Sequence, residues 1–337
     1  MRECLDRDLS VYLKGIAIIL MVLHHAFGAQ NYYVGSVSYP YFASYDIYIA
    51  RFGGFAVVPL FLFLTGYTYY KHIDKSFKYS LKKIMLFFVD YWLVLLIYGI
   101  ISIYMCGYQL SIFEAIREMF GIERNIMRFA WYVPLYIIIM LLLPFISKYI
   151  DKGKDILLLE FIVTIIVISW GIAINSCNNT VMFIAKELIV KHVPIAILGY
   201  YFAKKNYLNI LYSKMDISSL KIVCFLFAFI LFHIVFYNLG KYILVPIYIV
   251  LVKRLCLNYK SSIGKIIMFL AKHSMNIWFF HCLFFAVATR DVFQKYAFVP
   301  YNPILVVCWI LCICSVLSLI ITPVQDFMNR QVSKIFN

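Results

Sequence analysis

The sequence predicts an all-α integral membrane protein, a polytopic bundle of about ten transmembrane helices. Three observations carry that prediction. Of 337 residues, 64% are hydrophobic and 14% charged, with a mean hydropathy of +0.87, far from the roughly half-apolar makeup of soluble domains. Apolar stretches close to the ~18 residues needed to cross a hydrocarbon core recur from end to end. No long polar segment separates them, so one membrane domain over 1–337 is expected, with its chemistry on the spans and their short connections.

Each span is read as a helix, because a single segment in lipid must satisfy its own backbone hydrogen bonds. The first, 10–27, follows Arg2 and Arg7 without a small-residue cleavage pattern and is expected to stay in place. The second, 47–70, ends at the lysine-rich 71–83, and the third, 84–106, leaves from it. The fourth, 130–147, ends at three lysines, beyond which come the fifth, 156–174, and the sixth, 181–203. The seventh is 222–238. The eighth, 241–252, is short and contains Pro246; a re-entrant piece there would reduce the count to nine. The ninth and tenth are 266–289 and 301–323.

Charge arbitrates the count. With the N-terminus inside, 22 of the 31 Lys and Arg residues fall on the inner side and nine on the outer. That bias favours an even number of spans, both termini cytoplasmic, in a bacterial cell membrane. It also explains the net charge of +15 without nucleic acid, which is not expected as a partner. Two outer segments stand out. Residues 28–46 are rich in Tyr, Ser, Asn and Gly, while 107–129 carry Glu114, Arg117, Glu118, Glu123, Arg124 and Arg128. Such loops suit carbohydrate or headgroup contact, although tyrosine is also ordinary at membrane interfaces.

The nine cysteines lie mostly inside apolar runs and form no CxxC pair, so core side chains are expected rather than a metal site or disulfide. No HExxH, GxSxG or phosphate-binding loop occurs, which leaves metalloprotease, serine-hydrolase and nucleotide-driven pump chemistry unsupported. No metal and no bound cofactor is expected.

The most informative segment is the first span. Lys14 and His25 stand eleven positions apart, within ~20° of one helical face and roughly 16 Å along it, whereas His24 points well away. A lysine at the cytoplasmic end can attract phosphate as a point charge, and a neutral imidazole in the outer half can take a proton from a hydroxyl. The separation is that of an extended pantetheine arm. The same pair also reads as a snorkelling lysine and an interfacial histidine.

The run Lys14-Gly15-Ile16-Ala17, closing on His25, resembles the first-span pattern of the acyltransferase-3 family, in which the position of Lys14 holds Arg. Lysine keeps the charge but loses the bidentate fork. Val58-Pro59-Leu60-Phe61-Leu62-Phe63-Leu64-Thr65-Gly66 is similar to the family's second-span element, with Thr65 where the family has Ser and a Thr-Gly pair suited to close helix packing. Trp131-Tyr132-Val133-Pro134-Leu135 resembles the entry to the fourth span, and His273-Ser274-Met275-Asn276-Ile277-Trp278-Phe279-Phe280-His281 the closing element. The resemblance covers about 5–320.

The resemblance implies a membrane acyltransferase that takes acetyl or another acyl group from cytoplasmic acyl-CoA and passes it to a hydroxyl of a glycan or glycolipid. Acetyl-CoA is then a co-substrate. On this reading His25 is the general base, Lys14 binds acyl-CoA, and Arg51, Arg128, Trp131 and His281 contact substrate, with charge offered to the oxyanion by Arg51, Arg128 or His281. Direct transfer and a covalent acyl-His intermediate both fit these residues. Two rivals use them differently. One is a transporter or flippase for a lipid-linked or anionic sugar; the other is a non-catalytic sensor derived from the same family.

Overall fold

The computed structural model describes residues 3–28, 46–54, 57–152, 183–215, 218–235, 244–255, 259–300 and 302–336, and among these the chain is helical without strands. Helix α1 (Arg7–Phe27) begins at Asp6, whose carboxylate accepts the Leu9 N–H at 2.8 Å and so satisfies a backbone donor that the first turn leaves unpaired. The second expected span holds α2 (Asp46–Gly53) and α3 (Val57–Lys71), on either side of residues 55–56, which lie outside the described residues. Then follow α4 (Phe77–Tyr104), the short α5 (Ile112–Met119), held by a Ser111–Glu114 capping box, and α6 (Tyr132–Asp151). A π-type segment (Phe183–Val190) runs into α7 (Lys191–Lys204), followed by α8 (Tyr207–Lys214), α9 (Ser219–Val235) and α10 (Val245–Arg254). The chain closes with α11 (Ser262–Lys272), α12 (Ser274–Phe280), a 3-10 turn (His281–Phe284), α13 (Arg290–Ala297) and α14 (Pro303–Ile335).

Five helical stretches among the described residues are long and apolar enough to cross a membrane: Arg7–Phe27, Tyr48–Lys71, Phe77–Tyr104, Tyr132–Asp151 and Pro303–Ile335. The pair Ser262–Lys272 and Ser274–Phe284, bent by 68°, makes a sixth if it is one span. The expected span 156–174 and most of the 28–46 loop lie outside the described residues, as do parts of 181–203, 222–238 and 241–252. So the described helices do not reach the expected ten. The ninth expected span also differs in shape. His273 leaves the helical conformation between α11 and α12, and its Nδ1 lies 2.9 Å from Ser318 Oγ on α14, which anchors the bend.

Packing follows small residues. Helix α3 crosses α7 so closely that a Cβ on Gly66 would strike the Ala196 carbonyl and one on Gly199 the Phe63 carbonyl, the close approach that Thr65-Gly66 suggests in the sequence. Helix α1 is flanked by α2 and α11, while α4 packs on α6 and α14. Leu96, Ile100 and Ile103 of α4 and Val316, Leu319 and Ile320 of α14 point outward, as lipid-facing positions do.

Ion pairs sort the connections by side. Lys71 Nζ meets Glu3 Oε1 at 2.5 Å, Lys75 Nζ meets Asp151 Oδ2 at 3.1 Å, and Lys253 Nζ meets Asp6 Oδ2 at 2.7 Å. Two of these bonds join the N-terminal segment to the 71–83 and 253–272 connections, and the third joins 71–83 to 148–154, all of which the charge pattern assigns to the same side. At the opposite end the Ala288 N–H donates to the Asn125 carbonyl at 2.9 Å, and Trp309 Nε1 donates to the Tyr296 carbonyl at 2.8 Å.

Candidate active site

A cavity of about 920 Å³ lies among α1, α3, α4, α6, α7 and α12. That is the upper end of the roughly 300–1,000 Å³ usual for ligand sites. Lys14 and His25 both line it, and eleven helical positions set them roughly 16 Å apart along α1. Beside Lys14 the wall carries Lys83 and Tyr79 of α4 with Thr68 of α3; toward His25 it carries Phe129, Trp131, Arg124, Lys191 and His192.

His25 is fixed by a second imidazole. Its Nδ1 lies 2.7 Å from His281 Nε2, and His281 Nδ1 lies 3.2 Å from the Ile277 carbonyl oxygen. A carbonyl only accepts, so Nδ1 of His281 carries the proton. In a neutral His281 the lone pair then sits on Nε2, which accepts from Nδ1–H of His25. The network therefore assigns His25 the tautomer with its lone pair on Nε2, while the Nδ1 edge is turned to His281. His281 is completely buried and absent from the cavity wall. Phe129 lies flat over both rings, with centroids 3.6 Å from His25 at 3° and 5.0 Å from His281 at 1°. His24, expected to point well away, also reaches the cavity wall, and its Nδ1 donates to the Ala50 carbonyl at 2.7 Å, tying α1 to α2.

Phe129 is positioned by a clamp beneath its loop. The buried Glu118 carboxylate accepts the backbone N–H groups of Asn125 at 2.6 Å, Ile126 at 2.8 Å and Met127 at 3.4 Å. Tyr91 of α4 donates to the Glu118 carbonyl at 2.6 Å. Burial pushes the Glu118 carboxyl up; the three N–H donors oppose that, nearby Glu123 adds to it, and the result stands above the ordinary glutamate value of 4.5.

Of the residues singled out in the sequence, the structure sets Lys14, His25 and Trp131 on one cavity wall, and Trp131 stacks on His192 with centroids 5.4 Å apart. Arg128 is close enough to His25 to act on it electrostatically but does not line the cavity. His281 stands behind His25. Arg51, half-buried on α2, is not among the lining residues. Sequence reasoning missed two contributors. Lys83 counts in the charge pattern as one more inner lysine, yet it shares the cavity with Lys14; Glu118 looks like one acid among several in a loop. No group of three His, Cys, Asp or Glu side chains suited to a metal occurs among the described residues.

The arrangement is suited to taking a proton from a group held in the cavity at His25 while an anion rests at Lys14 and Lys83. A family model for an acyltransferase domain matches residues 8–323 of the 337. No curated protein and no solved structure matches the chain.

Proposed function

The chain belongs to the acyltransferase-3 family of membrane acyltransferases, and on that premise we propose that it transfers an acyl group, most simply acetyl from acetyl-CoA, to a hydroxyl of a sugar or glycoconjugate. The observation that carries this reading is the His25–His281 bond on a cavity shared with Lys14.

In this reading Lys14 and Lys83 hold the phosphates of acyl-CoA, and the pantetheine arm runs the roughly 16 Å to His25. The acceptor O–H gives its proton to His25 Nε2 as its oxygen attacks the thioester carbonyl. The C–S bond breaks, and the departing thiolate recovers the proton from His25. During the step His25 is an imidazolium whose Nδ1–H bond to His281 becomes charge-assisted and stronger. Arg128 opposes that cation but favours the oxyanion on the carbonyl oxygen, which is the role given to it here. Trp131 offers a flat face to a sugar ring. No role in the step is assigned to Arg51.

The excess of basic residues on the connections joined to the N-terminal segment favours a cell-membrane protein with both termini cytoplasmic and the Lys14 end of the cavity open to cytoplasmic acyl-CoA. The glycan or glycolipid acceptor then arrives at the His25 end. The test is transfer of label from acetyl-CoA in inside-out vesicles containing the wild type, His25→Ala or Lys14→Ala at matched expression. Loss in the His25 variant and a raised acetyl-CoA requirement in the Lys14 variant support the proposal. No transfer by any of them, with lipid-linked sugars supplied, favours the transporter instead.

A further inference from the structure

The backbone hydrogen bonds of the segment that carries His281 are interrupted by a side chain from another helix. Tyr98 of α4, buried, sends its phenol to the junction of α12 and the 3-10 turn (His281–Phe284). The O–H donates to the Phe280 carbonyl at 2.6 Å, shared with the Phe279 carbonyl at 3.1 Å, and the phenol oxygen accepts the Leu283 N–H at 3.1 Å. In a continuing α-helix that N–H would donate to the Phe279 carbonyl, four positions earlier. A side chain inserted into this ladder is an ordinary cause of a helix break. Here the phenol meets both sides of the gap, and the chain tightens to a 3-10 turn at His281.

The break falls at the residue that fixes the base. His281 lies between the carbonyls and the N–H that Tyr98 holds, and its Nε2 is the 2.7 Å partner of His25 Nδ1. An α-helix turns 100° per residue and a 3-10 helix about 120°, so exchanging one for the other turns the side chains it carries. The same turn is held once more at Leu283, whose carbonyl accepts Thr289 Oγ1 at 2.7 Å. Tyr98 does not line the cavity, so its influence on a bound substrate passes through His281.

We propose that Tyr98 is a positioning residue for the base: by occupying the ladder beside His281 it keeps His281 Nε2 in line with His25 Nδ1 and so holds the His25 lone pair on Nε2. Its effect on turnover rests on the transferase reading, whereas its effect on the imidazole pair does not, and the two are measured separately. Tyr98→Phe keeps the ring and removes only the hydroxyl, which lets the Leu283 N–H return to the Phe279 carbonyl. Thr289→Val loosens the same turn from its other side and decides the matter if Tyr98→Phe does not fold. CoA binding like that of the wild type shows that a variant is folded.

The first readout is the ring-nitrogen NMR spectrum of isotope-labelled histidines in nanodiscs, without substrate, with His25 and His281 assigned through their Gln variants. The wild type should show His25 protonated on Nδ1 and bare on Nε2; the folded variant should show both tautomers of His25. The second readout is steady-state transfer. Tyr98→Phe should lower kcat about tenfold with the acyl-CoA KM unchanged. On the His281→Ala background it should lower kcat no further, because the partner through which it acts is gone. A residue that only supports the fold would cost the same factor in both backgrounds. Unchanged His25 ring signals in the folded variant, or the same loss of kcat with and without His281, overturns the proposal. Mixed tautomers in a protein whose wild type transfers no acyl group would remove the transferase reading and leave this one standing; transfer by the wild type with unchanged His25 signals in the variant would do the reverse.

Discussion

His25 Nδ1 lies 2.7 Å from His281 Nε2, and the bond determines which face of the His25 ring can act as a base. Because His281 is anchored through its own Nδ1 to the Ile277 carbonyl, it presents an acceptor to His25 and holds the reactive lone pair on the opposite nitrogen. His281→Ala removes that acceptor and frees the His25 ring to change tautomer. Turnover should fall roughly 10²-fold, at the lower end of what a positioned base contributes. The acyl-CoA KM should stay near that of the wild type, which steady-state kinetics on purified protein would check.

Lys14 and Lys83 should separate from His25 in the kinetics. Each Gln replacement removes one charge from the proposed phosphate grip and should raise the acyl-CoA KM about tenfold, equivalent to ~1.4 kcal/mol, with kcat little changed. Lys14→Arg should bind acyl-CoA at least as tightly as the wild type, since the guanidinium adds a bidentate contact. A fall in kcat at unchanged KM would place these lysines at the reacting atoms instead.

Glu118 predicts a pH effect. Its folded carboxyl stands above the ordinary value of 4.5, chiefly through burial, so folding favours the protonated form. Its contribution to stability is complete below the ordinary value and is lost as pH rises through the raised folded value. Glu118→Gln keeps a carbonyl acceptor without the charge and should abolish this component in thermal melts across that window. Glu118→Ala leaves three backbone donors without their acceptor and should cost about 1–3 kcal/mol. Its activity should fall through kcat, because Phe129 then loses its fixed place over His25.

Asp6 has the opposite sign. Burial raises its carboxyl, but the hydrogen bonds from Lys253 and the Leu9 N–H outweigh that and hold it below the ordinary aspartate value of 3.8. Its stabilisation is therefore present above that value and fades as pH falls through the lower folded one. Asp6→Ala should cost about 1 kcal/mol, mainly as a lost N-cap, because the partly exposed pair with Lys253 is screened by salt. Melts of the two proteins at pH 7 and at acid pH should converge as Asp6 protonates.

Much of this site is legible in the sequence, for a physical reason. A lysine and an imidazole in an apolar helix are costly, and helical periodicity alone sets Lys14 and His25 on one face. The helical class and the meaning of Thr65-Gly66 follow from the same kind of local rule. Contacts between distant segments do not. His281 is 256 positions from His25, and nothing in its own surroundings says that it stands behind the base rather than in the cavity. Lys83 looks like a topology signal until α4 sets it on the same cavity wall as Lys14. The bend at His273 depends on Ser318 of another helix, so no reading of 266–289 by itself gives it.

The most direct measurement is single-turnover acyl transfer by the purified protein at saturating acetyl-CoA, comparing the wild type with His25→Ala and His25→Gln. A loss of at least about 10²-fold in rate for both variants, with acetyl-CoA binding unchanged, is the predicted result. Full turnover by either variant would contradict the assignment of His25 as the general base.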